Sequence, residues 1–452
     1  MAMQISLPYR SRVASPGPFN FHHYLSAIDP YSQYHIHILK NSPAKYVVRA
    51  VRVSKDDRCR WPDKTKLILE FAPPHEPAAG PGGPLLIPQD MRMVEILAHS
   101  LFDPHAGPLR HIGLEEDQRI EVPRLLNHCL ESGVLVTEDP GPLVTLWDIL
   151  TPSSFQDLVV SQLNTLRLIG GDIGSKLGSF FAELHSAHTR ELIECHESDI
   201  VPELKSAYVP VLETKVLPVL ARLKKYGTDI SSETAQELFR RVLRAHSSYR
   251  GSSFSHGNCH PGAILVQNWP GLLDSVRSKP LAESTDEHMY MAIIDWKFAQ
   301  LKGRGVDGDM AQLLASLHCQ QIYLNAFNPG GARPDARVQE ALLVTQAVVW
   351  GICQSYSSAV QFDPNVHESS RTADLLRSTL IQHGREMINQ AVERDWFIPA
   401  GSDIKKTDLI KKMVSIGIKY LQKGGKHRSS MVRDWSKDPI DEDAFITTLF
   451  GL

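Results

Sequence analysis

The sequence predicts an α+β protein in which a small antiparallel sheet with one helix precedes a large, mainly helical region. Three observations support this prediction. Short alternating β-branched segments dominate the first part of the chain, helical periodicity dominates after it, and the break DPGP separates the two patterns. We therefore expect two lobes that meet near residue 140.

The first lobe is predicted to span residues 34–140, after an N-terminal leader at 1–33. The segments YHIHILK, YVVRAVRV and KLILEF alternate as half-buried strands do, and turn residues separate them. After a loop rich in Pro and Gly, QDMRMVEILAHSLF (89–102) places apolar residues at helical spacing. GVLVTED (133–139) then predicts a buried strand that runs into DPGP.

The second lobe is predicted at 141–433 and is rich in helical periodicity, with a C-terminal tail at 434–452. Only 263–269 and 291–296 are typical of strands there, and we expect them to pair as one hairpin with a solvated polar tip. Helices are predicted at 169–188, 202–225, 232–249, 307–326, 337–360, 371–394 and 404–422. The apolar end of the tail favours docking onto the lobe.

The composition argues against a nucleic-acid or membrane partner. The 452 residues include 48 Lys plus Arg against 51 Asp plus Glu, which gives a formal net charge of -3. The Lys-rich segment 405–433 is interpreted as a solvated helix face. The six cysteines form no C-x-x-C pair, and no apolar run approaches the roughly 20 residues of a membrane span. These features predict a reduced, cytoplasmic protein.

The most specific pattern is FSHGNCHPGAILV (254–266), which precedes IIDW (293–296) and DGDMA (307–311). This order resembles the aminoglycoside phosphotransferase, methylthioribose kinase and choline kinase group, with a layout similar to the methylthioribose kinase branch. The resemblance covers about residues 34–425 and implies a bilobal protein-kinase-like fold. It also implies an ATP-binding cleft with Mg²⁺ that serves transfer to a small hydroxylated molecule.

The catalytic loop departs from the group at two positions. Asn258 stands where the group has the aspartate that accepts the hydroxyl proton, and a neutral amide cannot take up that proton. Ala263 replaces the metal-binding asparagine and has no side-chain oxygen for Mg²⁺. Asp295 matches the second metal ligand and would also be the remaining catalytic residue. Lys297 stands two positions on, where an ammonium could occupy the space of a cation.

The resemblance also places nucleotide-site positions in the first lobe. Glu70 lies at the position of the phosphate-binding lysine, and its expected partner Glu95 is present. Two facing carboxylates repel each other unless a cation or a proton intervenes, and we consider Lys64 or Lys66 as that cation. Glu138 is a third nucleotide-site position. The turn NSPA (41–44) contains Pro and no Gly where backbone donors would contact phosphates.

Other residues of the motif are interpreted as architectural. His256, Gly257 and the HPG segment shape the loop, and Asp309 is expected to tie the following helix to it. His185 is expected to be a hydrogen-bonded core histidine rather than a catalyst. Cys259 is expected to be a buried filler rather than a nucleophile.

Three functions remain open at this stage. The first is a kinase-fold protein that is impaired or inactive in phosphate transfer and binds a metabolite or a protein partner in the cleft between the lobes. The second is an active kinase of a small hydroxylated metabolite that uses ATP and Mg²⁺ through Asp295. The third is a kinase fold repurposed for different chemistry, although no group of residues in the sequence identifies that reaction.

Overall fold

A computed structural model gives the fold, which divides into two compact units. The first comprises Met1–Arg110 and Val122–Gly141, and the second comprises His111–Glu121 and Pro142–Leu452. Residues 111–121 thus belong to the second unit, whereas the sequence assigned them to the N-lobe. The structure describes residues 19–42, 45–54, 56, 58–72, 75–76, 85–86, 89–114, 120–155, 163–196, 204, 211–247, 253–277, 289–327, 335–362, 370–398, 404–425 and 444–450.

The first unit is built on a five-stranded antiparallel sheet with the spatial order β1-β2-β3-β8-β7. Its strands are β1 (Gln33–Ser42), β2 (Lys45–Ser54), β3 (Lys66–Phe71), β7 (Leu125–Cys129) and β8 (Val134–Glu138). A short pair, β4 (His75–Glu76) and β5 (Leu85–Leu86), precedes helix α2 (Gln89–Leu101). The predicted strands at 46–53, 66–71 and 133–139 and the predicted helix at 89–102 are therefore confirmed.

Alternation along the strands gives the sheet one apolar face. Leu67 and Leu69 of β3 are fully buried, whereas Ile68 between them is half-buried, because successive side chains point to opposite faces. Helix α1 (Phe21–Ile28) packs its apolar residues, including Leu25, into the same core. The described part of the predicted leader is thus an integral part of this unit.

The second unit is mainly helical, as predicted. Its helices are α3 (Leu146–Ile149), α4 (Leu163–Leu184), α5 (Ala187–His196), α6 (Pro218–Tyr226), α7 (Ser232–Ser247), α8 (Trp269–Arg277), α9 (Ala311–Ala326), α10 (Ala336–Val360), α11 (Ser370–Glu393), α12 (Lys406–Lys423) and α13 (Ala444–Leu449). Two wider π-helical turns, Leu212–Val216 and Gly305–Met310, precede α6 and α9.

Helices α4 and α10 approach each other closely through glycine. A Cβ on Gly174 would lie 2.2 Å from the carbonyl oxygen of Val348, and one on Gly178 would lie 2.6 Å from that of Ile352. Because later residues of α4 meet later residues of α10, the two helices run parallel. Any side chain at these two positions would push the backbones apart.

The strands of the second unit differ from the prediction. β11 (Ile264–Gln267) and β12 (Met291–Ile293) pair antiparallel as expected. They also pair with β9 (Leu143–Thr145) and β6 (Ile120–Glu121), which gives a four-stranded sheet of order β6-β12-β11-β9. A second pair joins β10 (Ser253–Ser255) to β13 (Gln300–Gly303). Helix α8 follows β11 directly where the sequence predicted a continuing strand and a hairpin tip, and 278–288 lie outside the described residues.

The end of the described chain docks onto the second unit, as predicted. Ile446, Leu449 and Phe450 are fully buried, and the Phe450 ring lies 4.7 Å from that of Phe362. Helix α12 buries its apolar residues and leaves Lys412 and Lys419 exposed, which agrees with a solvated basic face. Within the part of the chain that the structure describes, no helix is both long and apolar enough to cross a membrane.

Candidate functional site

The loop between β10 and β11 is held in shape by Asp309, which is fully buried. One carboxylate oxygen of Asp309 accepts a hydrogen bond from the backbone N–H of His256 at 2.7 Å, and the other accepts one from Gly257 at 2.8 Å. Nε2 of His185 lies 3.1 Å from the same carboxylate, and its Nδ1 lies 3.0 Å from the Tyr356 hydroxyl. His185 is therefore a hydrogen-bonded core histidine, and Asp309 ties the loop to the helices, as expected.

Glycine is required at the turn of this loop. Gly257 has φ 81°, and a Cβ there would lie 2.0 Å from the carbonyl oxygen of Phe298. The side chain of Gln312 braces the turn, since its oxygen accepts from Cys259 N at 2.9 Å and its amide nitrogen donates to Gly257 O at 3.3 Å. The shape of this loop is thus fixed by Gly257 together with hydrogen bonds from Asp309 and Gln312.

Asn258 and Asp295 are brought together by this frame. The amide nitrogen of Asn258 donates a hydrogen bond to Oδ2 of Asp295 at 3.2 Å. Asp295 adopts a left-handed conformation, φ 70° and ψ 47°, which aspartate tolerates better than most residues. On the other side of the carboxylate, Nζ of Lys297 lies 3.5 Å from Oδ1. Both carboxylate oxygens of Asp295 therefore face donors of the chain itself.

These residues do not fit a Mg²⁺ site. Ala263 is buried, and its backbone carbonyl already accepts from Ile294 N at 2.9 Å. Among the described residues, no group of three or more His, Cys, Asp and Glu side chains is placed to hold a metal ion. Of the positions 258, 263, 295 and 297, Asp295 supplies a carboxylate, and the ammonium of Lys297 next to it opposes a divalent cation.

Cys259 carries no catalytic signature. Its side chain is buried, and burial together with the charge of Asp309 raises the pKa of its thiol well above the ordinary value. The thiolate needed for nucleophilic attack is therefore strongly disfavoured. The interpretation of Cys259 as a buried filler is confirmed.

In the first unit, Arg92 is a partly buried cation whose charge acts on Glu70 and Glu95. This residue lies on α2, one turn before Glu95, and its guanidinium donates to the carbonyl oxygen of Ala72. Burial lowers the pKa of Arg92, while the charges of Glu70 and Glu95 raise it. The positive charge of Arg92 thus acts on both Glu70 and Glu95.

The two lysines considered for that role lie elsewhere. Nζ of Lys64 forms an ion pair with Glu138 at 2.6 Å, and Lys66 is exposed at the start of β3. The hypothesis that Lys64 is the counter-charge of Glu70 is therefore wrong, because its ammonium is committed to Glu138. Asn41 and Ser42 end β1, whereas Pro43 and Ala44 of the NSPA turn lie outside the described residues.

A group of charged residues in the second unit was not predicted. Its members are buried or half-buried apart from the exposed Glu393. We call it the α11 charge cluster: Lys215, Arg222, Arg304, Asp307, Arg385, Glu386 and Glu393. Lys215 Nζ lies 3.3 Å from Glu393 and 3.9 Å from Glu386, and Arg222 lies 2.9 Å from Glu393. The polar positions of α11 repeat every three or four residues, a periodicity that could have revealed one polar helix face. The residues that contact this polar face lie on other elements, far from α11 in the sequence, so spacing along α11 does not predict them.

The α11 charge cluster lies close to the loop that carries Asn258. Lys215 and Glu386 are among the charges that act on His260, whose pKa burial lowers to about 4. His260 is therefore neutral at physiological pH, and its Nδ1 accepts a hydrogen bond from Gly262 N at 3.0 Å. A buried concentration of charge beside such a loop is typical of a ligand-binding region.

Comparisons with known proteins find kinases among solved structures. The sequence matches no protein-family profile and no curated protein. Choline kinase from Cryptosporidium parvum is similar over 93% of both chains, with 9% identity and a TM-score of 0.38. An amicoumacin kinase solved with AMP-PNP and Ca²⁺ has 11% identity and a TM-score of 0.39, and the match covers 86% of this chain and 88% of that one.

Choline kinase from Streptococcus pneumoniae has 13% identity and a TM-score of 0.34, with 88% of this chain and 96% of that one covered. The structural neighbours are thus small-molecule kinases. At these TM-scores they carry no argument about this chain. Its kinase-like interpretation rests on its own strand order and on the loop frame held by Asp309.

Proposed function

We propose that this protein is a kinase-fold protein of the small-molecule phosphotransferase type that binds a ligand and does not transfer phosphate by the mechanism of that group. The observation that carries this proposal is the engagement of Asp295 by Asn258 at 3.2 Å and by Lys297 at 3.5 Å. The carboxylate that would bind a metal is neutralised from within the chain.

The proton-transfer step has no base at the position where the group has its catalytic aspartate, since Asn258 stands there. The Asn258 side chain points its amide donor at Asp295, and an amide has no basic lone pair that could take a proton from a hydroxyl group. Loss of a general base alone slows a reaction by about 10²- to 10⁴-fold. The loss of metal ligands removes a second, separate contribution to phosphoryl transfer.

The charged residues of the first unit also support the proposal that this protein does not transfer phosphate by that mechanism. At the position of the phosphate-binding lysine, Glu70 has a carboxylate, which repels phosphate oxygens. The guanidinium of Arg92 donates to the Ala72 carbonyl, and its charge acts on Glu70 and Glu95. We propose that Glu70, Glu95 and Glu138 are structural ion-pair partners in this protein rather than nucleotide ligands.

The test is a titration of the purified protein with ATP and MgCl₂, read as thermal stability, together with an assay of phosphate transfer. We expect no saturable stabilisation, whereas micromolar binding would raise stability by about 4 kcal/mol at millimolar ligand. Asp295→Ala is the matched variant, and Asp229→Ala, in an exposed turn, is the control. Saturable binding and transfer that Asp295→Ala abolishes, but Asp229→Ala retains, would establish an active kinase and refute the proposal.

A further inference from the structure

We propose that the second unit contains an oxyanion site at Arg385 and Gln382 that takes the carboxylate or phosphate group of a hydroxylated metabolite. The inference rests on the proposed binding function and names the chemistry of its ligand. Its test does not require phosphate transfer, so the two proposals can fail separately.

Arg385 is the centre of this site. Its side chain is 3% exposed, and its Nε has no hydrogen-bond partner among the residues that the structure describes. One guanidinium nitrogen lies 3.7 Å from Glu386, which is too long for a hydrogen bond. Burial lowers the pKa of Arg385. A buried guanidinium has a planar fork of donors that matches a carboxylate or a phosphate.

Gln382 lies one turn before Arg385 on α11 and is fully buried. Neither its amide oxygen nor its amide nitrogen has a hydrogen-bond partner in the described part of the chain. Buried amides are nearly always hydrogen-bonded, because the loss of water is otherwise uncompensated. The Gln382 amide and Nε of Arg385, three residues apart on one face of α11, both lack hydrogen-bond partners in the described part of the chain. This indicates that a polar group from outside the chain completes the site.

The acids of the α11 charge cluster are already neutralised. Glu393 is paired with Lys215 and Arg222, and Oδ2 of Asp307 accepts from Arg304 at 2.8 Å. Glu386 lies 3.9 Å from Nζ of Lys215 and 3.7 Å from one guanidinium nitrogen of Arg385, whose Nε remains without a partner among the described residues. An amine ligand would compete with these internal cations for the same carboxylates. An oxyanion would instead accept hydrogen bonds from the guanidinium of Arg385. The cluster thus favours a negatively charged ligand over a cationic one.

Asp307 extends the site with an acceptor. Its Oδ2 also accepts from the Ser378 hydroxyl at 2.6 Å, but its buried Oδ1 has no partner among the described residues. Ser378 lies one turn before Gln382 and two turns before Arg385 on α11, so this hydrogen bond places Asp307 against the same face of the helix. A hydroxyl group of the ligand would donate to Oδ1 while its oxyanion accepts from Arg385. This pairing of donor and acceptor is the reason that we assign a hydroxylated metabolite.

The probes are inorganic phosphate and acetate, each titrated at constant ionic strength and read as the melting temperature of the full-length protein. We expect at least one to give a saturable rise. Arg385→Gln should weaken that response about tenfold or more, because a charged hydrogen-bond donor is lost. Arg240→Gln, at an exposed position of α7, is the matched control and should bind as the original protein does.

Gln382→Leu is the second test of the oxyanion site, for the case that Arg385→Gln does not fold. Removal of a buried amide without partners should raise the melting temperature without the probe, and it should reduce the response to the probe. A response to phosphate or acetate that is equal in the original protein and in both variants would overturn the proposal, as would the absence of any response. A saturable response to tetramethylammonium that Gln382→Leu reduces would overturn the assignment of an anionic ligand.

Discussion

The Nζ atom of Lys297 lies 3.5 Å from Oδ1 of Asp295, two residues earlier in the chain. The ammonium thus occupies one side of the carboxylate, and the Asn258 amide occupies the other at 3.2 Å. A protein with this arrangement carries its own counter-charge at the position where a metal-dependent kinase needs a cation from solution.

The first prediction concerns metal binding. Asn258→Asp, Ala263→Asn and Lys297→Glu together remove the internal donors and add side-chain oxygens, so the combined variant should bind Mn²⁺ at least about tenfold more tightly than the original protein. Isothermal titration calorimetry measures this difference. Lys302→Glu, at an exposed position of β13, controls for the added negative charge. Tight binding by the original protein that is lost in Asp295→Ala would contradict the prediction.

The second prediction concerns Arg92. Arg92→Met removes a partly buried positive charge that acts on Glu70 and Glu95, together with the hydrogen bond to the Ala72 carbonyl, and should lower the free energy of unfolding by about 1–3 kcal/mol. Adding Glu70→Lys should recover part of this loss, because the new ammonium can pair with Glu95. Urea denaturation of the two variants measures both effects. Arg58→Met, which breaks a solvent-exposed pair with Asp56, should leave the denaturation midpoint unchanged.

The third prediction concerns pH. Nδ1 of His318 lies 3.2 Å from Nε2 of His383 in the core, and burial lowers the pKa of His318 to about 3 and that of His383 well below its ordinary value. Between pH 6.5 and about 3, the unfolded chain therefore binds protons that the folded protein does not, and stability falls as the pH falls.

Each such histidine contributes about 1.4 kcal/mol per pH unit in this window. His383→Leu should therefore lose less stability than the original protein between pH 7 and pH 5, as measured by denaturation at each pH. His105→Leu, at an exposed loop position, should keep the original slope. An identical slope for His383→Leu would show that the imidazole pair is not the cause.

The fourth prediction concerns the docked C-terminal helix α13. Phe450 is fully buried and contacts Phe362, so Phe450→Ala should cost about 3–5 kcal/mol of stability. Phe397→Ala removes an equal side chain that is 73% exposed and should change stability by no more than about 0.5 kcal/mol. Guanidinium denaturation of the two variants tests this contrast. Equal effects would mean that α13 does not dock in solution.

The element order was predictable because periodicity is a local property. The strands at 66–71 and 133–139 and the helix at 89–102 follow from spacing alone, since burial of one face imposes a period of 2 or 3.6. The short strand β6 was missed because its two residues, Ile120 and Glu121, are defined only by their parallel pairing with β12. Such a pairing leaves no repeat in the sequence.

The sequence predicted where the residues of the candidate site lie, but it did not predict which side chains contact one another there. The loop motif located Asn258 and Asp295, yet which side chain would neutralise Asp295 or Glu70 depends on three-dimensional distance. Arg92 lies on α2, whereas Glu70 lies on β3, and spacing along the helix relates Arg92 to Glu95 only. The contact between Lys215 and Glu393 spans still more of the chain.

Asp309 has a wider consequence. Its carboxylate holds two consecutive backbone N–H groups, those of His256 and Gly257, and so fixes the HG turn. Loss of this one carboxylate would therefore release two neighbouring positions of the loop together. In this sequence the letters HG identify a loop geometry, and any activity has to be argued from the side chains that the loop presents.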